Sequence, residues 1–319
     1  MNVRRLQRLQ EGECTMKDNS VKRACLIGLG LITQRYIEGL SEAHSLKLCG
    51  VSDLNENAFG RLLYEQYPFY GDYKQMLEDV KPEYAIISTP PESHFAIASD
   101  CLRSGVNVLI EKPVALCMED FDALAQLAQE KHLVFRTLFH WHGGVETLAF
   151  AEKYDLSRIR EIWVNVSDPY CDDPEIINPD RRPLMGAWID SGVNALSMIR
   201  QWFPFEQVEV IGTDVQRCGQ TDMPVYVKAE LLIDGVKTQI VVDWRQGVDH
   251  KESFVKLDDK WVHIDHSGQF IEDGGITNYG CMPRLNQHYK YLFENLAYES
   301  NVEFSRSVHQ VLFKVGKEL

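Results

Sequence analysis

Residues 21–33 read VKRACLIGLGLIT, and this stretch decides the fold. Val21 to Ile27 is a short apolar run that predicts a strand, and Gly28 stops it. From Leu31 to Ala43 the apolar residues Ile32, Tyr36, Ile37 and Leu40 recur at helical spacing. A strand, a glycine turn and a helix in that order let the backbone approach a pyrophosphate at a helix N-terminus. Gly28-Leu29-Gly30-Leu31-Ile32-Thr33 supplies two glycines of the dinucleotide fingerprint, with Thr33 in place of the third.

The alternation continues outward from there. Leu46 to Val51 reads as a strand and Asn55 to Tyr67 as a helix. Asp72 is placed to cap a short helix carrying Met76, Leu77 and Val80. Tyr84 to Ile87 is a strand, stopped by Thr89-Pro90-Pro91, and Ser93 to Arg103 a helix ended by Gly105. Val106 to Ile110, Met118 to Lys131 and Leu133 to Phe139 complete the series as strand, helix and strand. Strands separated by helices imply right-handed crossovers and a parallel sheet covered on both faces.

The second half reads differently. A helical stretch (Val145 to Tyr154) precedes a strand from Ile159 to Val166, and a proline-rich loop runs from Pro169 to Pro183. Ala187 to Phe203 is helical. Five strand candidates then follow with no long helix between them: 208–215, 225–233, 238–244, 254–257 and 261–264. Leu285 to Tyr298 and Ser305 to Lys317 finish as helices. The expected fold class is therefore α/β. A Rossmann doubly wound parallel sheet occupies 21–140. An α+β substrate-binding and dimerisation domain with a large, mainly antiparallel sheet occupies 141–319. Residues 1–20 form an extension, and the last helix is free to return to the first domain.

Composition narrows the function. The 319 residues suit about two domains. With 33 Lys and Arg against 47 Asp and Glu, the net charge of −14 argues against a nucleic-acid partner, which needs a basic face. No apolar run approaches the roughly 20 residues that cross a bilayer, so no membrane partner is expected. The first 20 residues lack the apolar core of a signal peptide. None of the eight cysteines forms a CxxC pair, and a reducing cytoplasm is the expected location.

Several polar residues stand where such a sheet places ligands, just past strand ends. Asp53 follows the second strand, where a carboxylate accepts from ribose hydroxyls and repels a 2′-phosphate. That predicts NAD rather than NADP; a turn-forming Asp is the competing reading. Glu111-Lys112-Pro113 follows the fifth strand, and a lysine beside an oxidised nicotinamide has a lowered pKa and can exchange a hydroxyl proton. Asp190 and Asn194 lie four apart and share one helix face, as a hydroxyl-binding pair or as an N-cap with a core Asn. His140-Trp141-His142 has an HxH spacing, but no third ligand has an obvious place, so no metal is expected. An aromatic face beside an imidazole suits a sugar pocket better. His309 and the remaining histidines read as surface or packing residues.

GLGLIT, then VSD, then STPPESHFAIASDCLRSGVNVLIEKPVAL resembles the Gfo/Idh/MocA oxidoreductase family. The resemblance implies that Gly28, Gly30, Leu31, Ile32, Asp53, Thr89, Pro90, His94, Glu111 and Lys112 bind the cofactor. It also implies a homodimer or higher homo-oligomer. The family often carries Asp-x-x-x-His on the second-domain helix. Here the pattern is Asp190 with Asn194, and Asn does not titrate, so the proton role falls on Lys112. This departure looks like the aldose 1-dehydrogenase branch, as do Trp141-His142, Trp188-Ile189 and Asp243-Trp244-Arg245. That likeness implies catalysis by Lys112, Asp190 and Asn194, and sugar contacts from Trp141, His142 and Asp168. The expected reaction is oxidation of an aldose at C1 to a lactone with NAD. The alternatives are a polyol, inositol or dihydrodiol dehydrogenase, and a non-catalytic sugar or dinucleotide sensor.

Overall fold

A computed structural model describes residues 21–58, 66–173, 176–295 and 300–319. The extension 1–20 and most of the helix expected over 55–67 lie outside the described residues.

The first sheet has six strands: β1 (Lys22–Ile27), β2 (Leu46–Ser52), β3 (Phe69–Tyr70), β4 (Tyr84–Ile87), β5 (Asn107–Glu111) and β6 (Phe135–Leu138). Their order is β3-β2-β1-β4-β5-β6 and every pair is parallel. Cys25 and Ile27 enter one apolar cluster, while Ala24 and Leu26 enter another on the opposite face. Burial on both faces is why β1 reads as one continuous apolar run. Among the described residues four helices accompany the sheet: α1 (Thr33–Ala43), α2 (Tyr73–Val80), α3 (Pro91–Arg103) and α4 (Met118–Lys131). Asp72 caps α2 as expected, accepting from the Lys74 N–H at 2.8 Å. The strand order reverses direction between β1 and β4, so a crevice opens beyond their carboxyl ends.

After α5 (Val145–Lys153) comes the second sheet. It is built from β7 (Ile159–Ser167), β10 (Val208–Arg217), β11 (Pro224–Ile233), β12 (Val236–Asp243), β13 (His250–Leu257), β14 (Lys260–Asp265), β15 (Phe270–Glu272) and β16 (Ile276–Asn278). The order is β10-β11-β12-β7-β13-β14-β15-β16, antiparallel throughout except for β12 with β7. One face carries the core, as the alternating burial of β13 shows: Lys251, Ser253, Val255 and Leu257 point inward. On the other face Trp163 and Trp261 remain partly exposed against each other.

Three expectations change. The proline-rich loop contains a small hairpin, β8 (Cys171–Asp173) with β9 (Ile176–Ile177), and a 3₁₀ turn over Pro179–Leu184. The helix expected over 187–203 opens as a π-helical turn, Trp188–Gly192, before α6 (Val193–Ile199). The two short strands after Asp265 were not legible, because three-residue pieces carry too little pattern.

The last two helices return to the first domain. α7 (Arg284–Glu294) crosses α1 so closely that a Cβ on Gly39 would stand 2.7 Å from the Phe293 ring. α8 (Val302–Gly316) packs between α4, β6 and α6. Both domains thus share one boundary, and the carboxyl ends of the parallel strands face it.

Candidate active site

The glycine turn after β1 is shaped for close approach. Gly28 has φ +97°, and a Cβ there would lie 2.7 Å from the Ser88 carbonyl carbon. A side chain is therefore excluded by both conformation and contact. At Gly30, by contrast, a Cβ would meet nothing within 4 Å. The space is open, and the α1 N-terminus beyond it has no side-chain cap. A helix N-terminus beside an open glycine turn fits the pyrophosphate of a dinucleotide. Leu31 is exposed at this turn and Ile32 sits at the start of the helix.

Asp53 stands just past the end of β2. Its Oδ2 accepts from the Leu29 N–H at 2.7 Å and its Oδ1 from the Asn55 N–H at 2.8 Å. The turn-forming reading is therefore observed directly. Both oxygens retain lone pairs for ribose hydroxyls.

Past β4, the Thr89 hydroxyl accepts from Ser93 at 2.8 Å and Pro90 is exposed. His94 is fully buried, with Nδ1 2.8 Å from the Pro113 carbonyl and Nε2 2.8 Å from the Thr89 carbonyl.

Past β5, the Glu111 carboxylate accepts from the Tyr36 hydroxyl at 2.5 Å and from the Lys112 N–H at 3.1 Å. Burial pushes its pKa up, against the pull of Lys112. The Lys112 ammonium reaches across the domain boundary. It donates to Asp190 Oδ1 at 2.5 Å and to the Asp190 carbonyl at 3.0 Å. Burial alone would lower the lysine's pKa, but Asp190 and Glu111 outweigh it and the net shift is upward. Asp190, 78 residues away in sequence, is therefore the group that keeps this lysine charged.

Asp190 does not cap a helix; it sits within the π-helical turn. Asn194, four residues on, donates its Nδ2 to the Asp190 carbonyl at 3.2 Å, while its Oδ1 is buried without a partner. Asp168 lies beside them. Its Oδ2 accepts from Ser191 at 2.6 Å and its Oδ1 from Lys251 at 2.7 Å. The Trp244 indole in turn donates to Ser191 Oγ at 3.1 Å. Lys251 also pairs with Asp249, which Arg284 contacts from α7.

Trp141 is 2% exposed within the second core, with its ring 5.2 Å from His266. His142 is partly buried and stands edge-on to Phe304 at 4.5 Å. The first residue of that run, His140, is the one that joins the boundary: it stacks on Tyr289 and its Nδ1 lies 3.2 Å from His288 Nδ1. Among the described residues no group of three or more His, Cys, Asp or Glu side chains is arranged to hold a metal ion. Nor is any described helix long and apolar enough to cross a membrane.

Tyr36, Tyr170, Lys251 and Tyr289 were not singled out from sequence, yet they surround the Lys112–Asp190 pair. Tyr170 lies with its ring edge to Trp244 and under the Arg181 guanidinium at 4.4 Å. Burial, then Asp190 and Asp168, push its pKa upward. The signal nearest to them was Trp244, in the Asp243-Trp244-Arg245 segment.

Residues 22–139 match the family model GFO_IDH_MocA, described as an oxidoreductase family with an NAD-binding Rossmann fold. A UDP-N-acetylglucosamine 3-dehydrogenase of Acidithiobacillus ferrooxidans is 52% identical over 48 residues, 15% of each chain. The first curated relatives are matched over 15% to 57% of their own length. A solved structure of that Acidithiobacillus enzyme superposes with TM-score 0.77 at 18% identity, covering 94% of this chain and 98% of the other. The myo-inositol 2-dehydrogenase of Lactobacillus plantarum superposes with TM-score 0.76 at 17% identity, over 94% and 97%. These likenesses show that the two-domain fold is shared.

Proposed function

We propose that this chain, whose residues 22–139 form the NAD-binding Rossmann domain of the Gfo/Idh/MocA oxidoreductase family, oxidises a hydroxyl of a sugar or cyclic polyol. The observation that carries the reading is the 2.5 Å Lys112–Asp190 pair where the strand ends face the second domain. Gly28, Gly30, Leu31, Ile32, Asp53, Thr89, Pro90 and Glu111 would hold NAD, with His94 behind them. Bound there, the nicotinamide accepts or returns a hydride.

The protein's own groups handle the proton. Lys112 rests as an ammonium beside a carboxylate. In the oxidative direction it passes a proton to Asp190 and takes the proton of the substrate hydroxyl as the C–H bond breaks. In the reductive direction it donates to the carbonyl oxygen. Asn194 and Asp168 lie beside this pair and orient hydroxyls.

Two carbons compete. The similar proteins are a UDP-N-acetylglucosamine 3-dehydrogenase and a myo-inositol 2-dehydrogenase. Those activities favour a ring hydroxyl away from C1, with a ketone as product. The aldose C1 reading, with a lactone as product, rests on Asn194, which leaves the second-domain helix without an imidazole. NADH formation across nucleotide sugars, aldoses and inositols, followed by product analysis, separates them. Binding of NAD with no turnover on any of these would leave a dinucleotide sensor and remove the catalytic reading.

A further inference from the structure

The turn that carries Lys112 is gripped by two buried histidines from different parts of the chain. Pro113 follows the lysine and has no N–H of its own. Its carbonyl faces His94 Nδ1 at 2.8 Å, and the next N–H, from Val114, donates to His309 Nε2 at 3.0 Å. Both histidines are 0% exposed. His94 comes from α3 of the Rossmann domain, His309 from α8 at the far end of the sequence.

The tautomer of His309 follows from its surroundings. Nδ1 faces the Ser305 carbonyl at 2.8 Å and therefore carries the hydrogen, which leaves the Nε2 lone pair for Val114. Its ring lies among Phe121, Phe139 and Phe313. Burial holds its pKa down, at about 4, so the acceptor persists at neutral pH. His94 has a carbonyl at each nitrogen, and its second contact is Thr89, on the expected cofactor side. One ring thus stands between the backbone on that side and the backbone beside the lysine, its single N–H donating to one of the two carbonyls.

We infer that His94 and His309 are positioning residues that set where the Lys112 amine stands against Asp190, an inference that rests on the role proposed for Lys112. Neither touches the reacting atoms. They act through the backbone of Pro113 and Val114. A pair at 2.5 Å tolerates little displacement, and misplacing a reacting group by about 1 Å can cost of order 10²-fold.

The experiment compares His309→Phe with His309→Gln. Phenylalanine keeps the aromatic packing and removes the acceptor; glutamine places an amide oxygen near the Nε2 position. The expected result is a kcat lowered roughly tenfold or more in His309→Phe, with KM for NAD little changed, and a kcat within about threefold of the parent in His309→Gln. Equal loss in both variants, or no loss in either, overturns the inference. Should His309→Phe fail to fold, His309→Gln against His309→Asn makes the same comparison, since the shorter amide does not reach Val114.

A second readout needs no turnover. The rate of Lys112 acylation by acetic anhydride, followed against pH by mass spectrometry, reports the lysine's pKa. It should fall in His309→Phe, as the amine leaves Asp190, and hold in His309→Gln. An unchanged profile in His309→Phe counts against positioning even if the parent protein oxidises no sugar. A lowered profile in a protein without turnover would keep the positioning inference and sink the proposed reaction alone.

Discussion

Lys112 Nζ lies 2.5 Å from Asp190 Oδ1, with 11% of each side chain exposed, and this contact joins the end of β5 to the helix of the other domain. A buried pair of this kind contributes little net stability, because desolving both charges offsets their attraction. Removing one partner is costly, because the other is left alone. Lys112→Met is therefore expected to lower kcat by about 10²-fold or more, the usual size of an acid–base contribution. Binding of NAD should persist by calorimetry. Near-normal turnover in this variant would end the lysine's catalytic role.

The two glycines of the first turn should fail differently. Gly28→Ala forces a side chain into the left-handed region and against Ser88 and Thr89, so a lowered Tm is expected, by strain of order 1–3 kcal/mol before the contact is counted. Gly30→Ala meets open space and should melt like the parent. Its NAD affinity should nevertheless fall, because the methyl occupies the approach of the pyrophosphate. Melting curves with and without NAD test both; unaltered NAD affinity in Gly30→Ala would remove the turn from the cofactor site.

Asp53 is expected to make NAD bind at least tenfold more tightly than NADP, since a carboxylate at this strand end repels a 2′-phosphate. Asp53→Ala should narrow the ratio. It should also weaken NAD, since Leu29 and Asn55 lose the carboxylate they donate to. Calorimetric Kd values for both dinucleotides decide; a tighter Kd for NADP in the parent refutes the assignment.

Buried histidines predict acid sensitivity. Burial lowers the pKa of His309 to about 4 and of His142 and His288 to about 3, and it lowers His94 as well. Each binds a proton in the unfolded chain at about 6.5 but not in the fold. Their stabilisation is complete above that pH and is lost as pH falls towards the folded values, at up to about 1.4 kcal/mol per unit for each. Tm should drop steeply between pH 6.5 and 4, and less steeply in His309→Gln. A flat Tm over that window contradicts this account.

Much of the first domain was legible because its signals are local. β1, α2, β4 and α4 follow from continuous apolar runs, a cap and helical spacing, none of which needs a distant partner. The second domain was read as strands without their order. Nothing local says that β12 pairs with β7 in parallel, since that register is set by side chains nearly 80 residues apart. Lys112 and Asp190 were joined only through the family resemblance, since 78 residues separate them and nothing local gives their distance.

The sequence by itself determined the Rossmann domain, the glycine turn, Asp53 at its strand end and the lysine past β5, because each is written in adjacent residues. Tertiary structure alone decided which charges meet. Placing Asp190 against Lys112 raises the lysine's pKa despite burial, and packing α8 against β6 and α4 brings His309 to Val114. Those outcomes depend on distance and burial, and a chain acquires both only when its remote segments pack.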